Sequence, residues 1–261
     1  MPRRLAPILA LLAIVAIGAC NAAPQAPVLT DPKEILAKTV LSLKDVKTVD
    51  AKGDLTGTLS AQGTSLNLQN TTFELQADVP GKKAKVSLAV PSFLNTSLEV
   101  IAVDQAVYLK VLGPFASQIG ADPGGKYKKI DGLSSAPSPS ASVDPLKALD
   151  ELNTLLSKLP APTKGANEKI GDQDAYHITM KLTADELKAL APSPALGNVP
   201  GLDAMSGAVT FDIWSRTNDL RPARFVVGID AGAQGNLALT FNMTYDSGLS
   251  ITAPPADQVA P

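Results

Sequence analysis

Cys20 and His177, the only cysteine and the only histidine, bound the covalent and acid–base chemistry open to this 261-residue chain. A lone cysteine forms no internal disulfide. One histidine beside one cysteine leaves no second thiol or imidazole from which to assemble a soft-metal site, and the sequence offers no Cys/His catalytic pair. His177 shares parity with Thr179 and Lys181, opposite Tyr176, Ile178, Met180 and Leu182, so an extended segment turns it toward solvent. Carboxylates could pair as general acid and base. Asp50, Asp54, Glu74, Asp78 and Asp212 all fall on the polar parity of alternating segments, where a solvated surface is their ordinary role. Residues 124–126, Gly-Gly-Lys, lack the strand–loop–helix context of a phosphate cradle, and no nucleophile elbow or Gly-x-Gly-x-x-Gly motif is present. These residues point away from catalysis, and no motif implies a cofactor.

Cys20 has another chemistry open to it. Arg3 and Arg4 precede an almost wholly apolar run at 5–17, which ends Ile17-Gly18-Ala19-Cys20. The run is of the ~7–15-residue class of a signal-peptide core, shorter than the ~20 apolar residues of a membrane span. Small residues just before a cysteine resemble the lipobox of bacterial lipoproteins, in which the thiol receives a diacylglycerol and becomes the new N-terminus. The resemblance implies a signal peptide at 1–19 and a lipidated Cys20. A Pro/Ala-rich tether follows over 20–30, and a soluble domain covers 31–261 on the extracytoplasmic side of the cell membrane. Two acyl chains matter, because one chain binds a bilayer only marginally.

Composition narrows the rest. Arg3 and Arg4 belong to the leader, which leaves 21 basic residues against 25 acidic ones. They form no basic stripe and no aromatic stacking set, so nucleic acid is excluded as a partner. Hydrophobic content is 45% with only 4% aromatics, so the apolar surface is mostly aliphatic.

The pattern along the chain is helix, then long strands. Asp31-Pro32 reads as cap and first helical position, followed by Ile35, Leu36, Thr39, Val40 and Leu43 at helical spacing. From Val49 the period is two: Val49, Ala51, Gly53, Leu55, Gly57 and Leu59 share one face. Phe73, Leu75, Ala77 and Val79 continue it, and Leu66 and Leu68 on the opposite parity predict a bulge near Asn70. Val86 and Leu88 follow, then a hairpin around Asp104-Gln105 and a short strand at 126–130. Residues 134–142 are Ser/Pro-rich and read as a loop. Asp144-Pro145 opens a second helix with Leu146, Leu149, Leu152 and Leu156 on one face. A strand at 169–182 turns near Gly171, and Thr183 and Glu186 form a capping box for a short third helix. Phe211 and Ile213, then Phe225 and Val227, then Leu239 and Phe241 mark three closing strands. About ten antiparallel strands and three helices result, an α+β pattern. Strands this long and one-faced predict one curved sheet wrapped around helices rather than two sandwich sheets.

The order of lipobox, tether, helix, long strands and Leu-rich helix then meets residues 209–214, Val-Thr-Phe-Asp-Ile-Trp. Residues 220–227, Leu-Arg-Pro-Ala-Arg-Phe-Val-Val, and a closing 250–254, Ser-Ile-Thr-Ala-Pro, follow. Together they resemble the LppX/LprG family of bacterial envelope lipoproteins, which shares its fold with the periplasmic carriers LolA and LolB. The resemblance covers most of the mature chain. It implies a half-barrel of antiparallel strands whose concave apolar face, covered by helices, forms a cavity that holds membrane lipids or lipoglycans, and a role in moving them through the envelope, with any transporter partner unspecified. The cavity candidates are the apolar-parity residues Leu55, Leu59, Phe73, Leu75, Val86, Leu88, Phe211, Ile213, Phe225, Val227, Leu239 and Phe241. The alternative on the same fold is a regulatory or structural surface lipoprotein.

Overall fold

The computed structural model describes residues 28–61, 64–114, 116–117, 121–130, 160–190 and 207–260. The expected signal peptide, Cys20, most of the tether, the Ser/Pro loop 134–142 and the Leu-rich helix after Asp144 lie outside the described residues.

Helix α1 (Pro32–Ser42) begins where the sequence predicts. The Asp31 carboxylate accepts the Lys33 amide at 2.9 Å, and Pro32 occupies the first turn, where its missing N–H costs nothing. Ile35, Leu36, Thr39 and Val40 are buried along one side.

Seven strands follow: β1 (Thr48–Ala61), β2 (Thr64–Asn67), β3 (Thr71–Asp78), β4 (Lys83–Val90), β5 (Thr96–Val103), β6 (Ala106–Leu112) and β7 (Lys128–Ile130). Six more complete the sheet: β8 (Thr163–Lys164), β9 (Glu168–Ile170), β10 (Gln173–Thr183), β11 (Ala208–Arg216), β12 (Pro222–Asp230) and β13 (Gly235–Tyr245). Helix α2 (Ala184–Leu190) sits between β10 and β11. Its capping box forms as expected, with the Thr183 amide donating to Glu186 Oε2 at 2.8 Å and the Glu186 amide to Thr183 Oγ1 at 3.3 Å.

Among the described residues, all thirteen strands join one open, antiparallel sheet in the order β7-β6-β5-β4-β3-β1-β13-β12-β11-β10-β8, with β2 beside β1 and β9 beside β10. The count exceeds the expected ten or so. The turn expected near Gly171 (φ 61°) divides the 169–182 segment into β9 and β10, and two-residue β8 is too short to carry a period. Open sheets of more than about ten strands curl rather than stay flat. The bulge expected near Asn70 is present. Thr58 pairs with Asn67 and Leu55 with Thr71, so residues 68–70 face only Thr56 and Gly57, and Asn70 takes φ 61°. The Asp104-Gln105 turn also forms, both residues at positive φ.

Two meanders, β1–β7 and β8–β13, meet at a seam between the first and last long strands, where Val49 pairs with Tyr245 and Leu59 with Gly235. Gly53 lies in this seam. A Cβ there would stand 2.0 Å from the Thr240 carbonyl oxygen, so only glycine lets β1 and β13 approach so closely. With no side chain between them, Phe73 and Phe241 from the flanking strands meet edge-to-face at 5.4 Å.

Beyond β13 the chain crosses to the far edge, where the Tyr127 amide donates to the Gln258 carbonyl and the Ala260 amide to the Tyr127 carbonyl, each at 2.8 Å. Ile251 on this tail is buried against Ile101, Val103 and Tyr127.

Candidate functional site

Strand register sorts the side chains of the sheet into two faces, and the apolar face gathers eleven of the twelve cavity candidates whose side chains are described. One cross-strand row runs Ile213, Phe225, Phe241, Gly53, Phe73, Leu88. The next runs Phe211, Val227, Leu239, Leu55. On the other side of the first row, Leu75 pairs with Val86. The eleven are all half-buried, and none belongs to the fully buried core. The backbone of Leu59 continues the same strand, paired with Gly235, and its side chain lies outside the described residues.

The buried clusters on this face lie toward its two ends. At one end α1 packs Ile35 onto Tyr176 and Ile178, and Thr39 and Ser215 share a hydrogen bond of 2.7 Å beneath the helix. Beside it α2 places Leu187 over Leu182 and Val209. At the other end Ala116 and Ala121 pack onto Val111. The half-buried candidates lie between, with Phe211 and Val227 packed against the Leu182, Leu187 and Val209 cluster. Thr71, level with Leu55, is fully buried with no partner for its hydroxyl. At the α1 end Tyr245 lies between the guanidinium groups of Arg216 and Arg221, 5.4 and 5.7 Å from its ring, and donates to Met243 Sδ at 3.0 Å. Burial raises the Tyr245 phenol above its ordinary value despite the two arginines.

The opposite face is polar, as the parity of β1, β3 and β11 predicts. Its central row reads His177, Trp214, Arg224, Asn242, Lys52, Glu74, Ser87, Glu99, Lys110 across nine strands. His177 is on this face as expected, but it is engaged rather than solvated. Its Nδ1 is 3.0 Å from Glu168 and its Nε2 2.9 Å from Asp212, and its ring stacks on Trp214 at 4.3 Å. Trp214, unassigned from sequence, donates through Nε1 to Glu168 at 3.0 Å. Asp212, expected to be a solvated surface carboxylate, also accepts from Thr179 at 2.6 Å. The Thr179 hydroxyl donates to Asp212 and also lies 3.3 Å from His177 Nε2, and each imidazole nitrogen faces a carboxylate. Among the described residues, no group of three His, Cys, Asp or Glu side chains could hold a metal ion, and no helix is long and apolar enough to cross a membrane.

At the far end of that row, burial works to raise the Glu99 carboxyl. Hydrogen bonds from Tyr127, Lys85 and Ser87 more than offset it, holding the group below its ordinary value. Burial and the Glu99 charge push the Tyr127 phenol up to about 12.

No family model and no curated protein sequence matches the chain. Solved structures do. LprF from Mycobacterium bovis superposes with a TM-score of 0.52 at 14% identity, over 85% of this chain and 96% of its own. The lipoprotein LppX from Mycobacterium tuberculosis gives 0.51 at 13% identity, over 85% and 98%. This chain has the LppX and LprF fold. The LppX fold therefore extends over nearly the whole of each relative, and it accounts for the open antiparallel sheet with a one-sided apolar face. At this identity the likeness speaks for architecture and assigns no residue a role.

Proposed function

We propose that the protein is an exported, lipid-anchored envelope lipoprotein that takes the acyl chains of a membrane lipid or lipoglycan onto the apolar face of its sheet and helps move them across the cell envelope. One observation carries this reading: a contiguous apolar surface of three cross-strand rows whose side chains are half-buried, with only Phe211 and Val227 of the candidates packed against a buried cluster among the described residues. An acyl CH₂ removed from water gains ~0.8 kcal/mol, so an aliphatic surface of this extent holds a long chain without polar contacts. The shared fold with LppX, itself described as a lipoprotein, supports the reading. So does the lipobox-like stretch ending at Cys20. The anchor would be a diacylglycerol on Cys20, and the domain from residue 31 onward would carry the ligand.

Two measurements test it. Cys20→Ala should move the protein out of the membrane fraction; retention there with an unchanged N-terminal peptide mass sinks the anchor. The same unanchored chain, extracted with organic solvent, should yield co-purified lipid by mass spectrometry, and emptied chain should take up a diacyl lipid from vesicles. Failure of both lipid measurements leaves a structural surface protein.

A further inference from the structure

On the polar face, behind the apolar rows, lies a groove of about 460 Å³. It is within the size range of small-ligand sites. Its origin is a run of small side chains on two adjacent strands. Ser87 and Ala89 of β4 face Glu99 and Ser97 of β5, while longer residues rise on either side. Across five consecutive strands the row reads Lys52, Glu74, Ser87, Glu99, Lys110. The parallel row reads Asp54, Thr72, Ala89, Ser97, Leu112. Two lysines and three carboxylates line the same depression.

The first row is held in place before any ligand arrives. Glu99 accepts hydrogen bonds from Tyr127 and Ser87 and pairs with Lys85. Glu74 is bridged by Gln76 and Lys52. The second row is more open. Among the described residues, the side chains of Asp54, Thr72 and Ser97 have no hydrogen-bond or ion-pair partner, and at the end of the first row Lys110 Nζ stands 5.2 Å from the centre of the Tyr127 ring. One row away, the buried Oδ1 of Asp50 also has no donor. The groove thus interleaves free acceptors, hydroxyls and one ammonium over a rigid base. Its slightly acidic balance disfavours phosphate or nucleotide. Interleaved donors and acceptors suit a neutral molecule whose every hydroxyl both gives and accepts.

We propose that this groove binds a neutral saccharide. It is separate from the apolar face, so the glycan could come from a free polysaccharide or from the head of a glycolipid. The test follows backbone amide shifts of the Cys20→Ala chain titrated with neutral oligosaccharides: α- and β-linked glucose, mannose and galactose trimers, with inorganic phosphate as the anionic control. At least one trimer is expected to shift Ser87 and Ser97 with a Kd on the order of 1 mM, and phosphate to leave them unmoved. Asp54→Ala, at an exposed position, should weaken binding about tenfold. Ala89→Phe should fill the groove and abolish it; Ala89→Gln is the milder version should the first fail to fold. The best trimer is then presented on a diacyl lipid to Val86→Trp, altered on the apolar face only. Trimer binding that survives Val86→Trp while lipid retention is lost places the glycan in the groove independently of the carrier reading. No shift with any trimer, or shifts unaffected by both Asp54→Ala and the Ala89 variants, overturns the proposal and leaves the carrier reading standing.

Discussion

Val86 and Val227 sit on opposite sides of the β1–β13 seam, both half-buried on the apolar face. A solid core answers enlargement with strain of about 1–3 kcal/mol. A surface that waits for a ligand answers differently, because a larger side chain fills space the ligand would take. Val86→Trp and Val227→Trp are therefore expected to keep urea-unfolding stability within about 1 kcal/mol while blocking uptake of a diacyl lipid. Lost stability with unchanged uptake would mean a filled interior. Tyr127 supplies a second residue-level outcome. Its phenol is raised from 10.0 to about 12 in the folded chain, so the folded state holds its proton more tightly than the unfolded one. The corresponding stability is fully present below pH 10 and is lost as pH rises through about 12. Glu99 works in the opposite sense: lowered from 4.5, it stabilises above that value and loses the contribution as pH falls through its folded value. Urea melts across the alkaline range should show a shallower decline for Tyr127→Phe than for the parent. Equal slopes would mean that other groups, Tyr245 first, dominate.

Among the elements, the tail after β13 is what local sequence pattern left unread. Ile101 and Val103 fall on the polar parity of β5, opposite Lys85 and beside Tyr108, so alternation alone turns them to water. The tail covers them through Ile251 and Val259, making a small second core on the polar face. Ile251→Ala should cost about 2–5 kcal/mol and raise amide exchange in β5 and β6 rather than in α1. A uniform rise would mean that the tail does not act locally. By contrast α1, the capping box of α2, the bulge at Asn70 and the parity of the long strands were legible, because each depends on neighbours a few residues away. The same logic placed the apolar candidates on one face. It could not place Glu168 beside His177 and Trp214, nor Tyr127 beside Glu99, since those partners meet through strand order rather than through spacing. Two-residue β8 left no periodic trace at all.

For the whole molecule, the sheet separates two environments with one layer of backbone. The apolar side bears the proposed acyl surface and the polar side the proposed glycan groove, back to back across the same strands. The sheet has its first and last long strands side by side. Val49 lies against Tyr245 in the middle of the sheet, not at a rim. A chain that emerges amino end first can zip β1 to β7 strand by neighbouring strand. The second edge of β1 has no partner until the carboxy-terminal strand arrives, and the two meanders stay unjoined until then. Closing that gap is a long-range search of the kind that slows folding most. Between emergence and closure β1 offers bare amides and carbonyls to any passing strand, a hazard of unpaired edges. The pairing that completes the apolar surface is thus the long-range one at the centre of the sheet.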